Sequence, residues 1–390
     1  MVSVQSILAI VFFIVMFSFL IYKRKKLSYQ KVLFPLIYVI MYRTKLGLKL
    51  MNKLAHKIPF LGYIIGSGVV IGFLGMIFIC FEIIRNSVKL LFSPGAAVSV
   101  QPVLPFEAKG VFFVPFVYWI LAIFIIATIH EFSHGVAARY FGMKLKSSGF
   151  AFLCLFVPIV PAAFVEPDEK NLAKSKLRQR LGVFAAGPFS NILTAGVVLI
   201  LVLLVFNPVS KLVFESSGVE IVSVTEDGPS ALSGLSPDDI LMDINGVYVG
   251  DVNSFVKELR TYSPGDTINI KTNNGIRTIT LGKSPSDESL PWMGISSRPY
   301  TVVRESVKAN IGEFIPIALE WIFGFFYWLF LLSLGIGLFN LLPMGPLDGG
   351  LMVRSFFKDY FKQRGVFVFR LISWFFFILI LVNIGVGFVR

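Results

Sequence analysis

Charge is scarce in this sequence. Only 15% of its 390 residues are Asp, Glu, Lys or Arg, against about 25% in an ordinary soluble domain. Acid is scarcest: 23 Asp plus Glu stand beside 41 Phe, more aromatic surface than one or two soluble cores can hide. These shortages exclude a disordered chain and a cytosolic enzyme. Cysteine is nearly absent. Cys80 and Cys154 lie in separate apolar segments, form neither a CxxC knuckle nor a disulfide framework, and read as packing residues. Histidine numbers three, so a close pair of them stands out.

What the sequence has instead is apolar length. Hydrophobic residues make up 55% and mean hydropathy is +0.77, the profile of a multi-spanning membrane protein. The net charge of +13 is uneven. Residues 208–300 hold 12 acidic and 7 basic side chains, a net −5, which leaves +18 elsewhere. A basic membrane part with an acidic insert argues against a nucleic-acid partner and for positive charge used in membrane topology.

Stretches long enough for a ~30 Å hydrocarbon core fall at 4–22, 60–84, 112–140, 182–206, 314–338 and 366–388. The first has no positive n-region and runs into Lys23-Arg24-Lys25-Lys26, which marks an anchor and not a cleaved leader. Val32–Tyr42 is too short to span and is expected to lie at the interface or to re-enter. Basic clusters set the orientation: residues 23–57 carry ten Lys and Arg with no acid, 144–180 carry seven, and 354–364 carry four. With six spans all three clusters fall on one side, which the positive-inside rule makes cytoplasmic. Both termini and the 208–300 block are then expected outside a cell membrane crossed several times.

The expected fold is an α-helical polytopic membrane protein of about six transmembrane helices, with a small mostly-β domain inserted between the fourth and fifth. Its parts are an N-terminal anchor with a basic segment (1–59), a first membrane core (60–207), the extracytoplasmic insert (208–300) and a second membrane core (301–390). Within the insert, Glu220–Val224, Asp239–Ile244, Thr267–Lys271 and Thr278–Leu281 read as strands. Asn245-Gly246 and Asn274-Gly275 read as hairpin turns, and Val252–Leu259 as a helix.

The succession Gly228-Pro229-Ser230-Ala231, Gly234-Leu235, Asp239-Ile240-Leu241 and Ile244-Asn245-Gly246 resembles the PDZ domains of bacterial-type proteases. Asp238 stands where that pattern has Gly, and is expected to alter a turn without abolishing the fold. The resemblance implies an extracytoplasmic peptide bound by strand addition. A steric spacer or lid that binds no peptide is the other reading, and both stay open.

The third span contains His130-Glu131-Phe132-Ser133-His134, an HExxH. On a helix i and i+4 share a face, so both imidazoles can reach one metal ion. Glu131 lies beside the first, placed to take a proton from water. Chance gives this motif in a chain with three His odds on the order of one in a thousand. Two His and a Glu within an apolar span are costly unless they serve a function. Arg139 marks the cytoplasmic helix end, so His134 and His130 lie about 8 and 14 Å inside at 1.5 Å per residue.

A catalytic zinc takes three protein ligands and keeps one position open. Glu82 and Glu320 fall near outer span ends, away from the histidines. Asp348 follows the cytoplasmic end of the fifth span, in a loop where Pro343 and Pro346 stop the helix and the glycines let the backbone fold back. It is the expected third ligand.

HExxH on one span with Asn340-Leu-Leu-Pro343 and Leu347-Asp348-Gly349 on a later one resembles the site-2 protease family of intramembrane zinc metalloproteases. Ala186-Gly187-Pro188-Phe189-Ser190-Asn191 is similar to that family's Gly-Pro-x-x-Asn, and the insert fits its PDZ-containing branch. The resemblance covers roughly 112–350. It implies one Zn2+ per chain on His130, His134 and Asp348, with Glu131 as general base and acid, activating the zinc-bound water. It also places Asn340 near the scissile peptide, holding substrate or stabilising the oxyanion; a helix-end cap is the alternative for Asn340.

Gly187 and Pro188 read as close helix packing and a kink. Gly149–Val165, strongly apolar but broken by Pro158 and Pro161, reads as re-entrant or as a membrane-buried strand whose edge holds an unwound substrate. A hairpin packed under the spans is the rival. These residues point to an intramembrane zinc metalloprotease that hydrolyses peptide bonds within the transmembrane helix of a membrane-protein substrate, in the cytoplasmic half of the bilayer. The resemblance implies regulated intramembrane proteolysis. A membrane-anchored zincin cutting cytosolic or misfolded chains is disfavoured because the motif lies inside an apolar span. A non-enzymatic PDZ scaffold is disfavoured because a structural metal needs no base. Two imidazoles and a carboxylate suit zinc, though iron or cobalt could occupy such a site.

Overall fold

Six of the described helices are long and apolar enough to cross a membrane, the number expected from hydropathy. The structure is a computed structural model that describes residues 4–33, 37–92, 98–155, 157–285 and 287–389. By its contacts the chain falls into two units, Met1–Val202 with Ile322–Arg390, and Leu203–Trp321.

In the first unit, α1 (Val4–Lys23) passes through a single 3-10 turn into β1 (Leu27–Leu33) and β2 (Ile37–Thr44). Next come α2 (Leu48–Lys57), which buries Met51 and Ala55, and α3 (Leu61–Phe92). A short parallel pair, β3 (Val103–Leu104) and β4 (Phe112–Phe113), precedes α4 (Phe116–Tyr140). The hairpin of β5 (Leu145–Leu155) and β6 (Val157–Pro167) leads through α5 (Glu169–Lys174) to α6 (Leu177–Leu201). On α3 the side chains of Leu74, Ile77, Phe78 and Phe81 stay exposed. Such a face would drive association in water and is at home against lipid; the protein is a multi-pass membrane protein.

The four long strands form one antiparallel sheet in the order β1-β2-β5-β6. The short apolar run Val32–Tyr42 contributes to this sheet. Its described residues are strand, and residues 34–36 lie outside the described ones. The run Tyr38-Val39-Ile40-Met41-Tyr42 is aromatic and β-branched, and pairing with β1 on one side and β5 on the other satisfies its backbone. Gly149–Val165 is likewise strand over its described residues, Phe156 lying outside them. Pro158 and Pro161 fall on β6, an edge strand, where a missing N–H breaks no ladder.

Past α6 the helix widens into a π turn (Val202–Phe206) and then α7 (Asn207–Val213). The second unit continues with β7 (Phe214–Val224), α8 (Pro229–Leu232), β8 (Ile240–Ile244), β9 (Val247–Tyr248), α9 (Val252–Leu259), β10 (Thr267–Thr272) and β11 (Gly275–Thr280). It ends with the pair β12 (Gly282–Lys283) and β13 (Pro291–Trp292), then β14 (Ile295–Val303) and α10 (Glu305–Ile311). The main sheet runs β11-β10-β8-β7-β14, with β9 folded onto β8.

Alternation builds this sheet. Along β10, Ile268 and Ile270 point into a core shared with Ile221, Leu241, Ile244 and Ile279, while Thr267, Asn269 and Lys271 point out. Each such buried aliphatic side chain contributes about 1.5–3 kcal/mol. Asp251 caps α9 reciprocally with Ser254 and so presents Phe255 to that core. The first hairpin turn falls on Asn245-Gly246 as expected, whereas the second falls on Asn273-Asn274, one residue before the expected Asn274-Gly275, because Gly275 already pairs with Thr272 as the first residue of β11. Asp238 adopts φ 70°, the left-handed region that a glycine would enter freely and that Asp tolerates better than most residues. Strand β14, pairing along the length of β7, went unread in the sequence.

The chain re-enters the first unit on α11 (Phe314–Asn340), turns over residues 341–347, and starts α12 (Asp348–Val389) at Asp348. Asp348, expected in a loop, is therefore the first residue of a helix. Its two following glycines explain the difference. A Cβ on Gly349 would collide with the carbonyl of Leu341, and one on Gly350 with that of Met344, so only glycine lets the new helix begin hard against the turn. A break at Lys362 (φ 50°) separates this first part of α12 from the apolar stretch 366–388. Helix α6 packs against α3, α4 and α12 together, and the donor set from α4 and α12 lies against it.

Candidate metal centre

Helix α4 is apolar along most of its length, and packing against α6 and β6 holds its polar residues in place. His130 and His134 lie one turn apart, as helical spacing requires, and their Nε2 atoms are 3.1 Å apart. Asp348 reaches them from the first turn of α12. Its Oδ2 lies 3.0 Å from His130 Nε2 and 3.4 Å from His134 Nε2. These three donors form a group that could hold a metal ion. A tetrahedral zinc with arms of about 2.0–2.1 Å sets its donors about 3.3–3.4 Å apart, so the spacing of this set fits the ion with small adjustment. A carboxylate so nearly enclosed also needs a cation or strong donors to be tolerated.

Helix α6 supplies the outer contacts of both imidazoles. Nδ1 of His134 is 2.7 Å from the carbonyl oxygen of Val183, and Nδ1 of His130 is 3.1 Å from the side-chain amide of Asn191, which is fully buried. Between them, Gly187 faces the ring tips. A Cβ there would come within 2.6 Å of His130 Nε2 and nearer still to His134 Nε2. Packing is thus the right word for Gly187, but the packing is against the donor atoms themselves. The sequence displayed Gly187 and Asn191 in one short segment; it gave no sign of the fold that lays this segment across the HExxH face.

The Glu131 carboxylate meets the sheet, where its Oε2 accepts a 3.0 Å hydrogen bond from the N–H of Val165 on β6. Beside it lies a cavity of about 190 Å³ lined with Met51, Phe124, Phe132, Phe150 and Phe164 as well as Glu131. Asn340 ends α11, half-buried, and its amide has no hydrogen-bond partner among the described residues. Glu82, set aside as a ligand, pairs with Arg85 on its own helix.

The chain is similar to known proteins over most of its length. It is 31% identical to an uncharacterized protein of Methanocaldococcus jannaschii over 327 residues, covering 83% of this chain and 78% of that one. It is 25% identical over 244 residues to the zinc metalloprotease RasP of Shouchella clausii, and 26% identical over 226 residues to the RasP of Geobacillus kaustophilus. These alignments cover 52% and 48% of this chain, and only 56% and 52% of the RasP chains. Among solved structures, the PDZ domain of an SdrC-like protein from Listeria monocytogenes is 26% identical, covering 21% of this chain and 87% of that one, with a TM-score of 0.19. Its counterpart from Listeria innocua is 27% identical, covering 20% and 92%, with a TM-score of 0.19. Residues 118–384 match Peptidase family M50. That match runs from within the HExxH helix to within the last helix and so takes in both sources of the donor set; the chain belongs to peptidase family M50, the site-2 type of zinc metalloprotease.

Proposed function

We propose that this protein is an intramembrane protease that hydrolyses peptide bonds within the transmembrane helices of membrane-protein substrates. One observation carries the reading. His130, Glu131 and His134 lie together on α4, a helix long and apolar enough to span a membrane, and Asp348, which follows the end of α11, a second such helix, completes the donor set.

In this reading His130, His134 and Asp348 hold one zinc ion per chain. When bound, zinc supplies a Lewis acid and lowers the pKa of water to about 7. Glu131 accepts a proton from the attacking water as the water oxygen bonds to the scissile carbonyl carbon. It returns that proton to the amide nitrogen as the C–N bond breaks. Asn340, its amide unpartnered, holds the substrate backbone or the developing oxyanion.

A peptide bond inside an intact helix is shielded, so the substrate must unwind. The outer edge of β6, next to Glu131, suits an extended segment that pairs by strand addition. The apolar cavity beside Glu131 suits a large hydrophobic side chain, the kind a transmembrane helix supplies. The unit Leu203–Trp321 fits a PDZ-like reader of extracytoplasmic peptide, with both termini on the same side and the metal in the cytoplasmic half of the bilayer.

The position of the cut tests this. Purified full-length protein in detergent is given a tagged single-span substrate and, separately, an unfolded soluble chain, and the fragments are weighed. Cleavage inside the span, with the soluble chain left whole, is expected. Cleavage of the soluble chain alone would instead make the protein a membrane-anchored protease of soluble targets.

A further inference from the structure

We propose that Asn191 is a two-way partner for His130, an amide that serves the imidazole in either tautomer and thereby sets the metal affinity of the site. This rests on the zinc reading above and concerns a residue to which that reading gives no part.

The two histidines are held differently. The partner of His134 Nδ1 is the Val183 carbonyl, which only accepts. Nδ1 of His134 therefore carries a proton, and in the neutral ring its Nε2 presents the lone pair to the donor cluster. The partner of His130 Nδ1 is an amide, which can donate through Nδ2 or accept through Oδ1. With Nδ2 at 3.1 Å, Nδ1 accepts and the ring proton sits on Nε2, 3.0 Å from Asp348 Oδ2. That tautomer cannot ligate. A metal at Nε2 needs the lone pair there, so a proton leaves Nε2, one is taken up at Nδ1, and Nδ1–H then needs an acceptor.

Half a turn of the Asn191 amide provides it. Oδ1 and Nδ2 exchange places with almost no change of shape. Oδ1 is buried and has no hydrogen-bond partner among the described residues, so the turn breaks no bond at that atom. The rest of the residue is fixed. Ser333 on α11 donates to the Asn191 backbone carbonyl at 2.8 Å, and Gly337 is packed closely against Asn191 Cβ. The position is pinned while the amide stays free to turn. A carboxylate at 191 would accept only, which favours the ligating tautomer; an aliphatic side chain would leave Nδ1–H buried without a partner.

Zinc affinity of the purified full chain, measured by competition with a chelator, tests this in wild type, Asn191→Leu, Asn191→Asp and Ser333→Ala. Thermal unfolding of the chelator-treated proteins shows which variants fold, and Asn191→Ala replaces Asn191→Leu where the latter does not. Asn191→Leu is expected to bind zinc about 10–100-fold more weakly. Asn191→Asp, which keeps the acceptor, and Ser333→Ala, which removes the bond to the Asn191 backbone but leaves the amide in place, are expected to stay within a few-fold of wild type. Wild-type affinity in a folded Asn191→Leu, or a loss in Asn191→Asp as large as in Asn191→Leu, overturns the inference. A wild-type chain that takes up no zinc overturns the metal reading itself.

Discussion

The carboxylate of Glu131 and the backbone N–H of Val165 share a 3.0 Å hydrogen bond, which ties the HExxH helix to the edge strand of the four-stranded sheet. The acid proposed as base and the strand proposed to receive substrate are thus one assembly. Geometry at this level matters because a base must sit within hydrogen-bond reach of the proton it takes.

Replacing Val165 with proline isolates that contact. The N–H of Val165 is spent on Glu131, and β6 is an edge strand where proline is tolerated. Val165→Pro is expected to keep one zinc per chain and lower kcat by about 10-fold or more, the scale on which a mispositioned base is felt. Unchanged kcat with a folded protein would show that the contact does not position Glu131.

Gly187 allows a sharper test of the donor cluster. Alanine for glycine within a helix favours the helix by about 1 kcal/mol, yet here the new methyl would press on both Nε2 atoms. Gly187→Ala is expected to lower zinc affinity at least ~10-fold, the clash outweighing the helix-propensity gain, with thermal unfolding after chelation checking that the variant folds. Equal zinc affinity in the two proteins would mean that the rings have room to move away.

Much of this was legible in the sequence, for reasons that differ from part to part. Spans declare themselves by length and hydropathy because the bilayer imposes both. The pair His130 and His134 declares itself because helical spacing is fixed. Asp348 could be named from its motif, but its place at the start of α12 depends on how closely Gly349 and Gly350 approach the preceding turn, a tertiary fact. Asn191 shows the limit. Its partner lies on another helix, and sequence carries no record of which face of α6 meets which face of α4. Strands β1 and β2 were passed over because a short apolar run was weighed by length against a span, whereas its backbone bonds are made by pairing with β5.

Asp239 gives the second unit a dependence on pH. Burial pushes its carboxyl up, but the N–H and hydroxyl of Ser236 and the amide of Asn274, at 2.9, 3.3 and 2.6 Å, outweigh burial and hold it below the ordinary carboxylate value. A depressed carboxyl contributes stability that is complete above the unfolded value near 3.9 and is lost as pH falls through the lower folded value. Denaturant unfolding of the full chain and of Asp239→Asn should differ by about 1–3 kcal/mol at pH 7, with the gap closing below about pH 4. A gap that persists undiminished to pH 2 would contradict this assignment.

The central claim is that Glu131 moves a proton at a metal site held by His130, His134 and Asp348. Glu131→Gln keeps the shape and removes the base. Zinc content and cleavage of a single-span substrate, measured together on wild type and Glu131→Gln, test it most directly. About one zinc on both proteins, with cleavage slowed by 10²-fold or more in the variant, is the expected result. A variant that cuts like wild type, or a wild type that cuts without zinc, would contradict it.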